Sequence, residues 1–248
     1  MKIRAIVFDL FDTLVDLDFD SLPRVDFAGR RVPPTVPALH AAIRTRHAVS
    51  FDAFAGALAE VDVAFRDSHY AVDREVTTQQ RFTALAERLG AADPELPDLL
   101  TSVHMGLFRE QVRVPAHHEP LLAELASLRQ IGLCSNFSHS QTALRILEEA
   151  GLTRHLGAIV ISDAVGLRKP RREIFEVVLA RLGVAPEQAL HVGDSLRADV
   201  VGAAGLGMRT AWITRRVRDP QAAIEAHAGP APDFILRDLA ELPALLGS

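Results

Sequence analysis

A few polar residues, widely separated along 248 residues, have types that could do chemistry together: Asp9, Ser135 with Asn136, Lys169 and Asp194. A carboxylate such as Asp9 can attack phosphorus or an activated carbon and form a covalent intermediate, which splits one hard step into two. A lysine can stabilise the charge on such a nucleophile, and hydroxyl and amide groups near a helix start can hold anionic oxygens. Asp, Ser and Asn also favour strand ends and N-caps for purely structural reasons. Any one of these residues alone therefore carries little weight. Lys169 carries more: Lys2 is the only other lysine, and every other member of the chain's 27 basic residues is an arginine.

These residues fall where strands should stop. Ile3, Ala5, Ile6, Val7 and Phe8 form an apolar run of the kind buried on both faces in parallel sheets, and it ends at Asp9. Ile131 to Cys134 ends at Ser135-Asn136, and Ala189 to Val192 ends at Gly193-Asp194. Further strands are expected at Ala158 to Ile161, Thr210 to Ile213 and Phe234 to Leu236. Helices carrying Leu121, Leu125 and Leu128, then Ile146 and Leu147, then Ile174, Phe175 and Leu182, alternate with them. A last helix is expected through Leu239, Leu242 and Leu245. Strand-helix alternation of this kind builds an α/β fold with a doubly wound parallel sheet, whose strands all end at one edge. Residues 16–37 read as irregular, with Pro23, Pro33, Pro34 and Pro37 forbidding a long helix. From there to about residue 112 only helices are expected. One is capped by Thr35, one by Ser50, one opens on the Thr77–Gln80 capping box, and one carries Leu96, Leu100, Val103 and Leu107. The expected division is an α/β core of residues 1–15 and 113–248 with a helical insert of residues 16–112.

Composition narrows the class further. An apolar content of 48% and a charged content of 24% are those of a soluble globular protein. The net charge of −5 and the lack of any run of like charges argue against nucleic-acid or anionic-membrane partners. Cys134 is the single cysteine, so no intramolecular disulfide forms, and no apolar run reaches spanning length. Asp9 interrupts the first apolar run too early for a secretory signal. A cytoplasmic protein acting on a small molecule is expected. Its oligomeric state is not legible.

Taken in order, Asp9 to Thr13, Ser135, Lys169 in G-L-R-K-P, and G-D-S-L-R-A-D from Gly193 to Asp199 resemble the four motifs of the haloacid dehalogenase-like (HAD) hydrolases. The resemblance covers essentially the whole chain. It implies a Rossmann-like core with an inserted α-helical cap between the first and second motifs. It implies Asp9 as nucleophile, with Thr13, Ser135, Asn136 and Lys169 as catalytic partners. It also implies Mg²⁺ held by Asp9, the backbone carbonyl of Phe11 and Asp194, with Asp199 and Ser195 standing behind these ligands. Mg²⁺ suits such a set of oxygens and offsets the repulsion between Asp9 and a phosphate dianion.

The first motif departs from the family's usual D-x-D-x-T, because Phe11 stands where its phosphatases carry a second Asp as general acid and base. Losing such a group costs about 10²–10⁴-fold in rate. Asp12 is no obvious replacement if the segment is extended, since adjacent side chains then point opposite ways. Phosphonoacetaldehyde-hydrolase-like members use a lysine of the cap, and residues 16–112 contain none. The 2-haloacid dehalogenases place an aromatic residue at this position but depart from Gly-Asp in the fourth motif, which this chain keeps. Mg²⁺-dependent hydrolysis of a phosphorylated metabolite is the leading expectation. Hydrolysis of a 2-halo acid through an ester on Asp9 is the alternative, and a protein that binds a phosphorylated ligand with little turnover is a third.

Other features have simpler expectations. The glycines of G-A-A-G-L-G at 202–207 are in the wrong order for a dinucleotide loop and fit close helix packing and a tight turn. Cys134 is expected to be a small core residue. His117-His118 is expected in a solvated linker, as adjacent histidines share no face. Arg24, Arg30 and Arg31 precede the insert's helices and are candidates for gripping an anionic substrate, although charged residues are mostly exposed for no such reason.

Overall fold

The computed structural model describes residues 3–17 and 24–247. The chain divides into two compact units, one of residues 1–17 and 113–248, the other of residues 18–112.

Six strands form the sheet of the first unit: β1 (Ala5–Phe8), β2 (Gln130–Ser135), β3 (Ala158–Ile161), β4 (Ala189–Gly193), β5 (Arg209–Ile213) and β6 (Phe234–Leu236). Their order is β3-β2-β1-β4-β5-β6, and every pairing is parallel. This is the doubly wound arrangement, with β1 at the point where the order reverses. All four β1 residues are buried, as an interior strand covered on both faces requires. Val7 pairs with Gly132 on one side and His191 on the other. Ala5 and Val7 share one face and join a core with Cys134, Val160 and the Ile174, Phe175, Val178 and Leu182 stripe of helix Arg172–Leu182. Cys134 is fully buried there, and burial pushes its thiol up to about 12, so it packs as a small apolar group.

The second unit packs helices Thr35–Arg44, Phe51–Ser68, Thr78–Arg88 and Leu96–Arg109 around Leu39, Phe54, Phe82, Leu85, Leu96 and Leu100. Ser50 caps its helix by accepting from the Ala53 amide, and Thr77 with Gln80 forms a complete capping box.

Local expectations differ from the structure in four places. Thr35 is the first helical residue rather than the cap, which is Pro34 without a side-chain bond. Pro37 sits in that helix's first turn, where a missing N–H breaks nothing. Within the supposedly irregular stretch, Val25–Phe27 and Arg30–Val32 form an antiparallel hairpin. Its turn has φ of 49° at Ala28 and 75° at Gly29; Ala is an uncommon choice there, so residue types alone do not mark the turn. Pro23 lies outside the described residues. The C-terminal segment is a short 3₁₀ turn, Leu239–Glu241, followed by helix Leu242–Leu246.

His117-His118 is not a solvated linker. His118 opens helix His118–Leu128 and is fully buried, its Nδ1–H donating to Leu14 O at 2.8 Å while Arg215 Nη1 donates to its Nε2 at 3.1 Å. The pair's neighbours supply these partners, which local spacing could not reveal. His117, His118 and Asp238 lie close enough to share an ion, but both His118 nitrogens are already engaged.

Candidate active site

The reversal of strand order sets where the site forms. Asp9 follows β1 and Asp194 follows β4, so both stand at the carboxyl edge where adjacent strands lead apart. The Asp9 amide donates to Val192 O at 2.9 Å, tying the two strand ends together. Ligand-type oxygens of Asp9, Asp194 and Asp199 lie within 4.8 Å of one another.

Lys169 binds this cluster together. Its Nζ donates to Asp9 Oδ1 at 2.7 Å and to Asp199 Oδ1 at 2.6 Å, with the side chain 1% exposed. Asp199 also accepts from His191 Nε2 at 2.8 Å and from the Ser195 amide at 2.9 Å. Asn136 holds the lysine's backbone on both sides. The Lys169 amide donates to Asn136 Oδ1 at 2.7 Å, and Asn136 Nδ2 donates back to the Lys169 carbonyl at 3.0 Å. Ser195 Oγ accepts from the Ala198 amide and starts the turn that carries Asp199 inward. Gly193 makes room for that carboxylate, since a Cβ there would lie 2.2 Å from Asp199 Cγ.

Charge in the cluster is unbalanced. Burial, then the charges of Asp9 and Asp199, push Asp194 from its ordinary 3.8 up to about 8. Burial also raises Asp9, against the pull of Lys169. Asp199 goes the other way: burial would raise it, but Lys169 and His191 outweigh that and hold it below the carboxylate range. Burial alone would lower Lys169, yet Asp199 and Asp9 raise it. One ammonium among three carboxylates thus stabilises Asp199 and leaves Asp194 short of a cation. The donor set is all oxygen, as Mg²⁺ prefers, and its acids are strained for want of positive charge, so the residues fit that ion.

Two hydroxyls face the same problem in reverse. Thr13 Oγ1 and Ser135 Oγ are buried and lack a hydrogen-bond partner among the described residues. Buried polar groups are seldom left so, and an anionic oxygen would satisfy both.

Phe11 and Asp12 occupy a turn rather than an extended strand. Leu14 N and Val15 N both donate to Leu10 O at 2.9 Å, and Asp12 has φ of 55°. Opposed side chains in an extended segment are therefore no reason to discount Asp12. Its carboxylate is nonetheless engaged, accepting from Leu17 N at 3.1 Å and pairing with Arg216 at 3.3 Å. The Phe11 ring packs against Phe137, with centroids 4.8 Å apart and planes tilted by 56°.

The sequence profile of the haloacid dehalogenase-like hydrolases matches residues 3–207. The chain belongs to that family. Among characterised HAD-like relatives it is similar to a phosphoserine phosphatase of Thermus thermophilus, 33% identical over 63% of each chain. It is also similar to pyrimidine 5'-nucleotidase YjjG of Escherichia coli, 30% identical over 67% of this chain and 69% of that one. The chain spans less than two thirds of the first of these, and 59% of a glyceraldehyde 3-phosphate phosphatase from Methanopyrus kandleri. In fold it resembles the 2-haloacid dehalogenase from Pseudomonas syringae pv. Tomato, with a TM-score of 0.69 at 21% identity over 99% of this chain and 98% of that one. The HAD phosphatase from Thermococcus onnurineus gives 0.66 at 24%, over 100% and 98%.

Within this HAD-like core the structure gathers Asp9, Lys169, Asp194 and Asp199, with Asn136 and Ser195 fixing their backbone. His191 was not singled out from sequence. Its one signal is a polar residue inside the apolar strand A-L-H-V-G, a weak cue because buried histidines are common. Arg24, Arg30 and Arg31 lie on the hairpin of the helical unit. Arg30 pairs with Asp52 at 3.1 Å, Arg31 with Asp26 at 3.9 Å, and Arg24 donates to Arg31 O at 3.3 Å. These exposed contacts are their observed partners. Gly202 has the close packing expected for it, as a Cβ there would come 2.6 Å from the Phe175 ring. No described helix is long and apolar enough to cross a membrane.

Proposed function

We propose that this chain hydrolyses a small phosphomonoester through an aspartyl-phosphate on Asp9. The observation that carries the reading is Asp194, a half-buried acid raised to about 8 beside the nucleophile, in a cluster where one ammonium faces three carboxylates. Mg²⁺ would be held by Asp9, Asp194 and the carbonyl oxygen of Phe11, and when bound would neutralise phosphoryl charge as a Lewis acid.

An Asp9 carboxylate oxygen attacks phosphorus, and the bond to the ester oxygen breaks. That oxygen leaves with its electron pair and takes a proton from solvent, because Phe11 has none to give. Water then attacks phosphorus, releasing phosphate and restoring Asp9. Lys169, in contact with Asp9, keeps the nucleophile ionised and aimed. Asp199 holds Lys169 in turn, and His191 holds Asp199. The Thr13 and Ser135 hydroxyls, which have no other partner among the described residues, donate to phosphoryl oxygens. Without a carboxylate at position 11 turnover is slow, on the order of 10²–10⁴-fold below an enzyme that has one. Arg24, Arg30 and Arg31 are the proposed contacts for an anionic portion of the substrate.

The Phe11–Phe137 pair favours one other reading, hydrolysis of a 2-halo acid through an ester on Asp9, since an apolar wall suits a small carbon skeleton. Release of phosphate from p-nitrophenyl phosphate and of chloride from 2-chloropropionate, each with Mg²⁺ and with EDTA, separates the two. Mg²⁺-dependent phosphate release that Asp9→Asn abolishes is the expected result. Metal-independent chloride release alone would replace the first reading with the second. Phosphate binding with no turnover of either would make this a ligand-binding member of the family.

A further inference from the structure

A cavity of about 630 Å³ lies at the opposite edge of the sheet from Asp9. Its walls come from the amino ends of neighbouring strands. Leu190 is near the start of β4, Arg209 is the first residue of β5, Phe234 is the first of β6, and Ile3 and Arg129 come just before β1 and β2. The C-terminal helix closes one side with Leu245 and Leu246. Because the strands are all parallel, this amino edge is separate from the carboxyl edge that holds Asp9, Ser135 and Asp194.

Two arginines line the cavity, and they differ. Arg209 is satisfied: its Nε donates to Asp233 at 2.9 Å, and its guanidinium lies 5.3 Å over the Phe234 ring. Arg129 is not. Its Nη2 donates to Leu246 O at 3.0 Å, while Nε and Nη1 are buried with no acceptor among the described residues. Buried guanidinium nitrogens with open donors are an expensive arrangement unless an anion completes them. Leu190, Phe234, Leu245 and Leu246 make the remaining surface largely apolar. Glu187, exposed at the rim, disfavours a multiply charged ligand. The volume is that of an ordinary small-molecule site.

We infer that this cavity binds a singly charged carboxylate with an apolar body, its carboxylate on Arg129 and its body against Leu190, Phe234 and Leu246. The site is independent of the chemistry at Asp9.

Sodium octanoate, titrated calorimetrically into the 248-residue protein, is the probe, with 1-octanol as its uncharged counterpart. Octanoate should bind saturably at one site, and Arg129→Met should weaken it by about tenfold or more, the scale of one charge-assisted hydrogen bond. Octanol should bind more weakly and be indifferent to that substitution. Asp9→Asn should leave octanoate binding unchanged. Leucine-methyl NMR locates the ligand without any substitution, so the test holds even if Arg129→Met does not fold. Shifts confined to Leu128, Leu190, Leu245 and Leu246 are expected. Absence of saturable binding, methyl shifts elsewhere, loss of binding in Asp9→Asn, or full affinity in a folded Arg129→Met would each overturn the assignment.

Discussion

Lys169 Nζ sits 2.7 Å from Asp9 Oδ1, and the two residues are 160 positions apart in the chain. The same nitrogen reaches Asp199 at 2.6 Å, so a single ammonium lies between two buried carboxylates. Lys169→Ala should abolish measurable turnover. It should also destabilise the fold by about 3–5 kcal/mol, because it leaves buried charge uncompensated. Lys169→Arg should impair activity nearly as much, since a forked guanidinium does not fit a site shaped for a point charge. Steady-state rates and thermal melts of both variants test this. Near-normal turnover in the arginine variant would reduce Lys169 to a generic cation.

The Asp194 carboxyl sets a pH dependence whose sign follows from its shift. In the unfolded chain it ionises near 3.8, in the folded protein near 8. Between those values the unfolded state has released the proton and the folded state retains it. Metal-free stability should therefore fall as pH rises through that window, and Asp9, also raised, adds in the same direction. Mg²⁺ should raise the melting temperature more at pH 8 than at pH 5. Asp194→Asn should remove most of that difference. A melting temperature insensitive to Mg²⁺ at pH 8 would count against the site.

Gly193 tests how tightly Asp199 is seated. A Cβ added there would lie 2.2 Å from Asp199 Cγ and 2.4 Å from its Oδ2. Gly193→Ala should therefore displace the carboxylate that holds Lys169 and cost about 1–3 kcal/mol of stability, as overpacking does. Activity should fall while circular dichroism still reports a folded chain. An alanine variant with wild-type rate and stability would mean that Asp199 can shift freely.

Phe11 is the position where the two enzymatic readings part. Phe11→Asp would place a carboxylate where the family's phosphatases carry their acid and base, at the loss of the packing with Phe137. If proton transfer limits a phosphatase, hydrolysis of p-nitrophenyl phosphate should rise, by up to about 10²-fold. A dehalogenase should instead slow down on its carboxylate substrate. The comparison of the two rates in a folded Phe11→Asp protein decides it, and an unchanged or lower phosphatase rate would favour the dehalogenase or binding readings.

What the sequence alone determined about this protein is local. Buried runs ending in Asp9, Ser135 and Asp194 identified interior parallel strands, because a strand covered on both faces must be apolar throughout. Ser50 and the Thr77–Gln80 pair announced their helices, because caps act within one turn. The tertiary structure decided what these pieces meet. Only the strand order brings β4 against β1, and with it Asp199 to Lys169 and His191 to Asp199. Asn136 grips the Lys169 backbone across 33 residues, and Phe11 finds Phe137 across an even longer stretch of chain. Asp12 leaves the extended path that its neighbours suggested, because its amide and carboxylate are bonded to Val15 and Leu17 within the turn. Such contacts depend on which strands pair and how far a side chain reaches, and neither is encoded in residue spacing along the chain.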